Sequence, residues 1–345
     1  MDKEIIDGLF AQGFMGIEIP AEYEGTGASF MSSCLVIEEL AKVDAGVSVM
    51  CDVQNTLVNN IFLNFASDEM KSIYFPRLAT DTLASFCLSE SGAGSDAFAL
   101  QASAKADGDD YILNGEKMWI TNAHEAGIFL VFANVDKDAG YKGITCFVVE
   151  SDNPGLKVGG KIEKLGIRAS STCPVVLEDA RVSSSAILGE KGMGYKYAIE
   201  GLNEGRIGIG AQMIGIAQGA YDAVLPYLFE RKAFGDAIGN FQALQVEYAE
   251  VATQIEAARH LVYNAARLKG AGLPFVKEAA MAKWAASKAA ENAASKAIEW
   301  AGGIGYAREY PMEKYYRDAK IGAIYEGASL IQLQTIAKLV AQEYK

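Results

Sequence analysis

The stretch DYILNGEKMWITNA, residues 110–123, decides how the chain is divided. It is rich in β-branched and aromatic residues, and the similar runs GIFLVFANV, GITCFVVE and PVVLEDARV follow it. Short runs of this kind, separated by turn signals such as Asn114-Gly115 and Asn153-Pro154, are typical of strands. The sequence therefore predicts a small antiparallel β domain or barrel over residues 84–188.

Helical patterns lie on both sides of this β region. Residues 1–83 contain the amphipathic stretch SSCLVIEELAKV. Residues 189–345 contain four long segments with apolar residues at i, i+3 and i+4, each bounded by glycine or proline. We therefore expect an α+β multidomain chain with an N-terminal helical domain, the middle antiparallel β domain and a C-terminal four-helix bundle.

Composition excludes several classes of function. The 345 residues carry a net charge of −13, which argues against nucleic acid or anionic lipid as the main partner. No apolar run approaches the ~18 residues of a membrane helix. The N-terminus MDKEIIDGLF has neither a signal-peptide core nor an arginine-rich transit pattern. The sequence predicts a chain without a membrane span or a leader.

Cysteine and histidine usage narrows the chemistry. The five cysteines are scattered without a C-x-x-C pair, which favours a reducing compartment over a disulfide framework. There are two histidines, His124 and His260, and no H-E-x-x-H pattern. A metal site and a Ser-His-Asp triad are therefore poor candidates. We expect chemistry based on carboxylates and an organic cofactor.

Three segments contain candidate binding residues. FCLSESGAGSDAF (86–98) runs from a strand-like stretch into a Gly/Ser turn that could bind a phosphate or a polar ring edge, although such loops are mostly structural. KMWITNA (117–123) adds an indole and a hydroxyl, and together the two segments suggest a planar heteroaromatic ligand. Arg231 and Phe234 follow a helix, where a cation also suits the helix dipole.

The segment AKIGAIYEGASLIQLQ (319–334) places one carboxylate, Glu326, among apolar and small residues. Desolvation raises the pKa of a carboxyl, so an apolar collar would make Glu326 a stronger base than a solvated glutamate. The residues alone leave a second interpretation open, in which Glu326 ends a helix and faces water.

Together these segments resemble a known family. CLSESGAGSD is similar to the first acyl-CoA dehydrogenase signature, and EWAGGIGYAREYPMEKYYRD (299–318) resembles the second at every constrained position. IYEGASLIQ resembles the segment that carries the family's catalytic carboxylate. LGIRASSTCPV and GYKYAIEGLNEGRIGI are most similar to the short/branched-chain, 2-methylacyl-CoA branch. The resemblance runs from Met1 to Lys345, and it implies that a helical segment and any mitochondrial presequence before Met1 are missing.

The resemblance implies a function as well as a fold. The expected reaction is FAD-dependent conversion of a short or 2-methyl-branched acyl-CoA to the 2,3-enoyl-CoA, with hydride passing to flavin N5 and electrons to electron-transfer flavoprotein. Isoleucine and fatty acid breakdown would be the context. A homotetramer with FAD at the subunit contacts is implied, in the mitochondrial matrix of a eukaryote or the cytoplasm of a bacterium. The alternatives are an acyl-CoA oxidase on the same fold and an inactive truncated isoform that acts as a binding partner.

Site residues are carried over from the family position by position. Glu326 would be the base, with Gly327 against the substrate and Thr121 near flavin N5. Substrate would also contact Ser95, Tyr141, Tyr195, Asn203, Glu204, Gly205 and Arg206. FAD would contact, within one subunit or from its neighbour, Phe86, Cys87, Leu88, Ser89, Glu90, Ser91, Gly92, Ala93, Gly94, Ser95, Trp119, Ile120, Thr121, Arg231, Phe234, Gln242, Glu299, Trp300, Ala301, Gly302, Gly303, Ala328, Ser329 and Leu330.

Three positions qualify this assignment. Ala328 and Leu330 stand where many relatives have polar residues that contact the adenosine half of the flavin. One branch of the family carries its catalytic glutamate at the position that aligns with Gly205. Glycine there makes Glu326 the better candidate base and Glu204 a second candidate, and it would leave room for a 2-methyl branch.

Overall fold

The computed structural model describes residues 1–345, and these group into two compact units. The first unit comprises Met1–Ser29, Met50–Glu163 and Ala169–Gly205, and the second comprises Phe30–Val49, Lys164–Arg168 and Arg206–Lys345. Neither unit has a helix that is both long and apolar enough to cross a bilayer. All five cysteines are free and buried.

The helices of the first unit come mainly from the N-terminal part of the chain. Helix α5 shows how the local sequence favours a helix start. The Ser67 hydroxyl accepts a hydrogen bond from the Met70 N–H (3.2 Å), and two acidic residues occupy the first turn. A π-helical segment, Val53–Asn59, follows α3. The helices that lie wholly or partly in this unit are α1 (Lys3–Ala11), α3 (Ala45–Asp52), α4 (Asn60–Phe65), α5 (Asp68–Thr80) and the start of α6 (Gly194–Glu230).

A seven-stranded sheet forms the rest of the first unit. Its strand order is β1-β4-β2-β3-β7-β6, and β5 pairs with β4. Most pairs are antiparallel, but β1 runs parallel to β4, so the sheet is mixed rather than wholly antiparallel as predicted. The strands are β1 (Ala84–Cys87), β2 (Ser103–Asp107), β3 (Asp110–Thr121), β4 (Ile128–Asn134), β5 (Ile144–Glu150), β6 (Leu156–Val158) and β7 (Thr172–Ser183).

Strand β4 lies at the centre of the unit's core. Every one of its residues is buried, and they alternate between two apolar clusters. Leu130 and Phe132 belong to one cluster, whereas Phe129 and Val131 belong to the other. This period-two alternation explains the continuous apolar run IFLVFAN, because a strand covered on both faces needs no polar side.

The predicted turn at Asn114-Gly115 is wrong. Both residues lie inside β3, at a register shift in its pairing with β7. Asn114 bonds the backbone N–H of Asp179 (2.9 Å), and Gly115 has φ +146°. A Cβ at Gly115 would lie 2.7 Å from the Cα of Ala102. The dipeptide therefore forms a β-bulge, which uses the same residue types as a hairpin turn.

The second unit is a helical bundle. Residues Phe30–Val49, which the sequence analysis placed with the N-terminal domain, pack in this unit through α2. The buried Glu38 accepts hydrogen bonds from Arg259 (3.0 Å) and Tyr263 (2.8 Å). The elements are α2 (Phe30–Val43), the remainder of α6, β8 (Lys232–Ala233), β9 (Asp236–Ala237), α7 (Gln242–Gly270), α8 (Val276–Ala301), α9 (Met312–Ala319) and α10 (Ser329–Glu343).

In helix α8, 13 of the 26 residues are buried. Its alanines form the buried face, including Ala279, Ala286 and Ala290, which recur at spacings of seven and four residues. Small side chains allow close approach of neighbouring helices. One charged side chain, Lys283, lies among these alanines and is fully buried.

Candidate active site

Glu326 lies in an irregular segment between α9 and α10. A short 3-10 turn follows α9, and α10 begins at Ser329. Glu326 has φ +50° and Gly327 has φ +87°, so two consecutive residues adopt left-handed backbone conformations. Such a conformation is uncommon for a residue other than glycine and is found at functional sites. We refer to residues 322–328 as the Glu326 loop.

Polar side chains from two helices hold this loop. The Lys283 ammonium group of α8 donates to the carbonyl oxygens of Gly322 (2.6 Å) and Gly327 (2.8 Å). The Gln332 amide of α10 donates to the carbonyl oxygens of Glu326 (3.1 Å) and Gly327 (2.9 Å). Because both ends of the loop are tied to helices, the position of the Glu326 backbone is fixed.

The Glu326 side chain is partly exposed as a whole, but its Oε2 atom is buried and has no hydrogen-bond partner. Burial raises the pKa of Glu326 to about 7, while the charges of Lys283 and Arg206 act in the opposite direction. The predicted apolar collar is therefore incomplete, since two cations share this environment. A carboxyl with a pKa near neutral is suited to accept a proton as a general base.

The two cations are themselves affected by burial. Desolvation lowers the pKa of Lys283 to about 8, although Glu326 raises it. Desolvation also lowers the pKa of Arg206, which Glu326 again opposes. Arg206 was predicted as a substrate residue, and the structure brings it into electrostatic contact with the predicted base. Lys283 was not predicted.

The first unit presents an exposed aromatic side chain on β3. Trp119 has φ +65°, lies at a register irregularity between Lys117 and Ile120, and is 58% exposed. The neighbouring Thr121 is partly exposed. An exposed indole on a distorted strand is unusual in a core sheet and provides a face on which a planar ring can stack.

The Gly/Ser loop lies beside this indole. The N–H of Met118 bonds the carbonyl oxygen of Ser89 (2.9 Å), which ties the loop to β3 next to Trp119. A buried ion pair between Lys117 of β3 and Glu90 of the loop (2.7 Å) also holds the loop against β3. The Glu90 carboxylate also accepts from the backbone N–H of Ala102 (3.0 Å). Glu90 therefore anchors the loop and is not available to a ligand.

The predicted flavin residues of the first unit separate into two sets. Cys87, Leu88, Ala93 and Ile120 are buried in the core, so only their backbones can contact a ligand. The others present accessible surface, namely Phe86, Ser89, Ser91, Gly92, Gly94, Ser95, Trp119 and Thr121.

Among the predicted substrate residues of the first unit, the structure brings Tyr141 and Tyr195 together. Their ring centroids lie 4.7 Å apart in an edge-on arrangement, and Tyr141 is 51% exposed. Asn203, Glu204 and Gly205 follow one another on α6 and are buried. The exposed tyrosine pair provides an amphipathic surface for a long ligand.

The second unit contains the residues predicted to reach a neighbour's FAD. Phe234 lies at the tip of the β8–β9 hairpin and is 99% exposed. The Trp300 side chain is buried and its indole N–H donates to Glu247 (2.7 Å), while Glu299 accepts from Lys296 (2.9 Å). The Trp300 side chain therefore packs and hydrogen-bonds within the helical bundle. Exposed surface remains at Arg231, Gln242, Gly302, Gly303 and Leu330.

Each unit, taken by itself, contains a group suited to part of a flavin dinucleotide. Trp119 offers an exposed aromatic face in the first unit. In the second unit, Ser329 opens α10, and its hydroxyl oxygen is buried with no hydrogen-bond partner. A buried polar atom without a partner costs free energy, and a ligand can satisfy it. Ala328 and Leu330 are apolar. The polar groups of that segment are therefore the Ser329 hydroxyl and the backbone.

The residues that hold the Glu326 loop were not predicted from the sequence. Lys283 and Gln332 lie 43 residues before and six after Glu326, so no local pattern connects them with it. One signal was available: helical spacing places Lys283 on the same face as Ala279, Ala286 and Ala290. A single charged residue on an alanine face is rare unless the charge has a partner.

Family models and known proteins both match the chain. Models described as acyl-CoA dehydrogenase N-terminal, middle and C-terminal domains match residues 1–82, 85–180 and 192–341. The short/branched chain specific acyl-CoA dehydrogenase, mitochondrial, of Bos taurus is 60% identical over 344 residues, which cover 100% of this chain and 80% of that protein.

Solved structures give the same result. Butyryl-CoA dehydrogenase from Megasphaera elsdenii is 40% identical and superposes with a TM-score of 0.97, covering 99% of this chain and 90% of that one. An acyl-CoA dehydrogenase from Bacillus anthracis complexed with FAD is 29% identical, with a TM-score of 0.92 over 98% of this chain and 61% of that one.

Proposed function

The chain belongs to the acyl-CoA dehydrogenase family, and on that premise we propose that it oxidises a short or 2-methyl-branched acyl-CoA to the 2,3-enoyl-CoA with Glu326 as the base. The single observation that carries this proposal is the Glu326 carboxylate, whose Oε2 is buried and whose pKa is raised to about 7. Its backbone is tied to two helices by Lys283 and Gln332.

The reaction explains why such a carboxylate is needed. The α-carbon beside a thioester is a weak acid, so its proton must be taken by a base stronger than a solvated glutamate. Glu326 accepts this proton on its carboxylate and becomes a neutral acid. FAD, when bound, supplies the two-electron acceptor for the hydride that leaves the β-carbon. Loss of the proton and the hydride leaves the C2–C3 double bond.

The two buried cations affect the protonation state of Glu326. Lys283 and Arg206 favour the ionised form of Glu326, so that a useful fraction is unprotonated at neutral pH. Burial acts against them and keeps the carboxylate basic. This balance of opposing effects gives a base whose pKa is close to the working pH, where general-base catalysis is most efficient.

The substrate class rests on similarity. The Bos taurus relative is named as specific for short and branched chains, and its 60% identity over this chain supports the same class here. We also propose that Gly205 on α6 leaves room for a 2-methyl branch, because glycine carries only a hydrogen atom in place of a side chain. We propose electron-transfer flavoprotein as the electron acceptor, and a mitochondrial compartment if the source is eukaryotic.

The test is an anaerobic titration of the purified flavoprotein with 2-methylbutanoyl-CoA and butanoyl-CoA, followed by flavin absorbance. We expect bleaching by both substrates. Glu326→Gln is expected to retain the flavin and bind substrate but to reduce the flavin at least about 10²-fold more slowly. Glu309→Gln, an exposed glutamate in the same unit, is the matched control and is expected to behave as the parent protein.

Three outcomes would redirect the proposal. Undiminished reduction in Glu326→Gln would move the base elsewhere, with Glu204 examined next. Stoichiometric hydrogen peroxide during aerobic turnover would identify an oxidase in place of a dehydrogenase. A colourless protein that no acyl-CoA affects would identify a binding partner without catalytic activity.

A further inference from the structure

We propose that Lys283 is a positioning residue, which holds the Glu326 loop and supplies the positive charge that keeps its carboxylate partly ionised. The inference rests on the proposed function, in which Glu326 is the base. Lys283 itself contacts backbone carbonyl groups and would act on the reaction through Glu326.

The hydrogen bonds define what Lys283 does to the loop. Its ammonium group donates to Gly322 O (2.6 Å) and to Gly327 O (2.8 Å), which lie on either side of Glu326 in the chain. Ser287, one turn further along α8, donates to the same Gly322 oxygen (2.9 Å). Helix α8 therefore sets the distance between the two ends of the loop. This constrains the position of the Glu326 backbone, from which the side chain extends.

Stability alone is a poor explanation for this arrangement. Lys283 is fully buried, and the hydrogen bonds of its ammonium group are made to neutral carbonyl oxygens. A buried charge of this kind loses several kcal/mol of hydration, which an apolar side chain of similar volume does not. The helix could therefore pack at least as well with methionine at this position. What methionine could not provide is a charge and two donors beside Glu326.

The groups that face the Glu326 carboxylate differ in what they can do. Lys283 on α8 and Arg206 on α6 are the charged groups that lower its pKa. Gln332 on α10 bonds its backbone and is neutral. Tyr325, its neighbour in the loop, bonds Gln212 through its hydroxyl. Lys283 combines a positive charge with direct hydrogen bonds to two carbonyl oxygens of the loop.

The experiment compares three variants of the flavin-loaded protein. Lys283→Met removes the charge and the donors, and Lys283→Gln removes the charge but keeps a donor. Lys288→Met is the matched control, because Lys288 lies on the same helix, is exposed and has an ion pair only with Glu291 (3.4 Å). Anaerobic flavin reduction by butanoyl-CoA is measured from about pH 6 to about pH 9. Infrared difference spectra over the same pH range follow the band of the protonated Glu326 carboxyl. That band is identified by its absence in Glu326→Gln.

We expect both Lys283 variants to shift the acid limb of the rate profile upward by about one pH unit, which is about a ten-fold loss of rate below the limb. The infrared midpoint should shift by the same amount, and this readout does not depend on turnover. At high pH, Lys283→Gln should reduce flavin faster than Lys283→Met, since its amide can still bond one loop carbonyl. Lys288→Met should match the parent in every measurement.

The outcomes separate this inference from the proposed function. If Glu326→Gln is inactive while Lys283→Met keeps the parent profile and infrared midpoint, the positioning role is wrong and Glu326 remains the base. If both Lys283 variants fail to fold while Lys288→Met folds, Lys283 has a structural role only and the inference is overturned. Full activity of Glu326→Gln would instead refute Glu326 as the base, which is the part of the proposed function on which this inference rests.

Discussion

Glu326 is subject to two opposing effects on its pKa. Burial raises the pKa of its carboxyl from 4.5 to about 7, even though Lys283 and Arg206 lower it. Between these two values an exposed glutamate is ionised, whereas Glu326 is mostly protonated. The left-handed backbone at Glu326 and the hydrogen bonds to its loop maintain this geometry. Single residues therefore set the protonation state on which the proposed chemistry depends.

The first prediction concerns pH. Because Glu326 must be unprotonated to accept a proton, kcat/KM for butanoyl-CoA should fall as the pH decreases through about 7. Below that value the loss should approach ten-fold per pH unit. The measurement is the pH profile of kcat/KM with an artificial electron acceptor. An acid limb near 4.5, the value of an exposed glutamate, would contradict a buried base.

The second prediction concerns substrate shape. Gly205 is buried on α6, where the family resemblance places the acyl chain. In Gly205→Leu a bulky side chain would occupy the space of a 2-methyl branch, so kcat/KM for 2-methylbutanoyl-CoA should fall at least about ten-fold more than that for butanoyl-CoA. Steady-state kinetics with both substrates test this. Equal losses for the two substrates would show that Gly205 does not select for the branch.

Among the elements, the Gly/Ser loop after β1 depends on one buried ion pair. Lys117 and Glu90 are both buried, and Glu90 also accepts backbone N–H groups at the far end of the loop. Removing one partner of such a pair leaves an uncompensated buried charge. The loop that faces the proposed flavin would then lose its anchor.

The third prediction follows from that anchor. Lys117→Met should purify with less FAD and should lose bound FAD more readily on dilution. We expect its dissociation constant for FAD to be at least about ten-fold larger than that of the parent protein. The ratio of flavin to protein absorbance and a fluorescence titration of released flavin measure this. Lys105→Met, on the exposed side of β2, is the control and should retain FAD as the parent does. Unchanged FAD content in Lys117→Met would mean that the loop holds its conformation without the ion pair.

A buried carboxylate on helix α2 bonds helix α7 of the bundle. Glu38 is buried and accepts hydrogen bonds from Arg259 and Tyr263 of α7. Glu39, the next residue, is exposed and pairs only with Lys42. Neighbouring glutamates on one helix thus differ in burial, which provides an internal comparison.

The fourth prediction uses this pair. Glu38→Ala should lower the free energy of unfolding by about 2–3 kcal/mol, because two polar groups of α7 lose their buried partner. Glu39→Ala should change it by no more than about 0.5 kcal/mol, as is usual for exposed ion pairs. Urea denaturation followed by circular dichroism measures both. Similar values for the two variants would show that α2 is held by apolar packing alone.

How much the sequence could predict depends on the range of the interaction. Helices and strands follow local periodicity, so the order of helical, β and helical regions is confirmed. The Asn114-Gly115 turn is wrong because a bulge and a hairpin turn use the same residue types, and only pairing with β7 distinguishes them. Lys283 was missed for a similar reason: its partners Gly322 and Gly327 lie 39 and 44 residues away.

For the whole molecule, the apolar surface of the second unit requires explanation. Phe234 is 99% exposed, Tyr306 82%, Leu330 72% and Val246 63%. Where such side chains form one contiguous patch, they mark a surface that binds another protein or a ligand. The family resemblance implies that copies of the chain and their FAD cover such residues in a homotetramer. The net charge of −13 would keep these assemblies soluble.

The last prediction tests that assembly through Phe234. Phe234 lies at the tip of the β8–β9 hairpin, has φ +52° and is 99% exposed. The parent protein should behave in light scattering as four chains of 36.9 kDa each. Phe234→Asp should shift this mass toward smaller species and lower the FAD content, because a charge buried at a subunit contact is unpaired. Ile73→Asp, at an exposed apolar residue of the first unit, should leave both unchanged. A parent protein that is monomeric with full FAD content would refute the tetramer, and it would place every FAD contact within one chain.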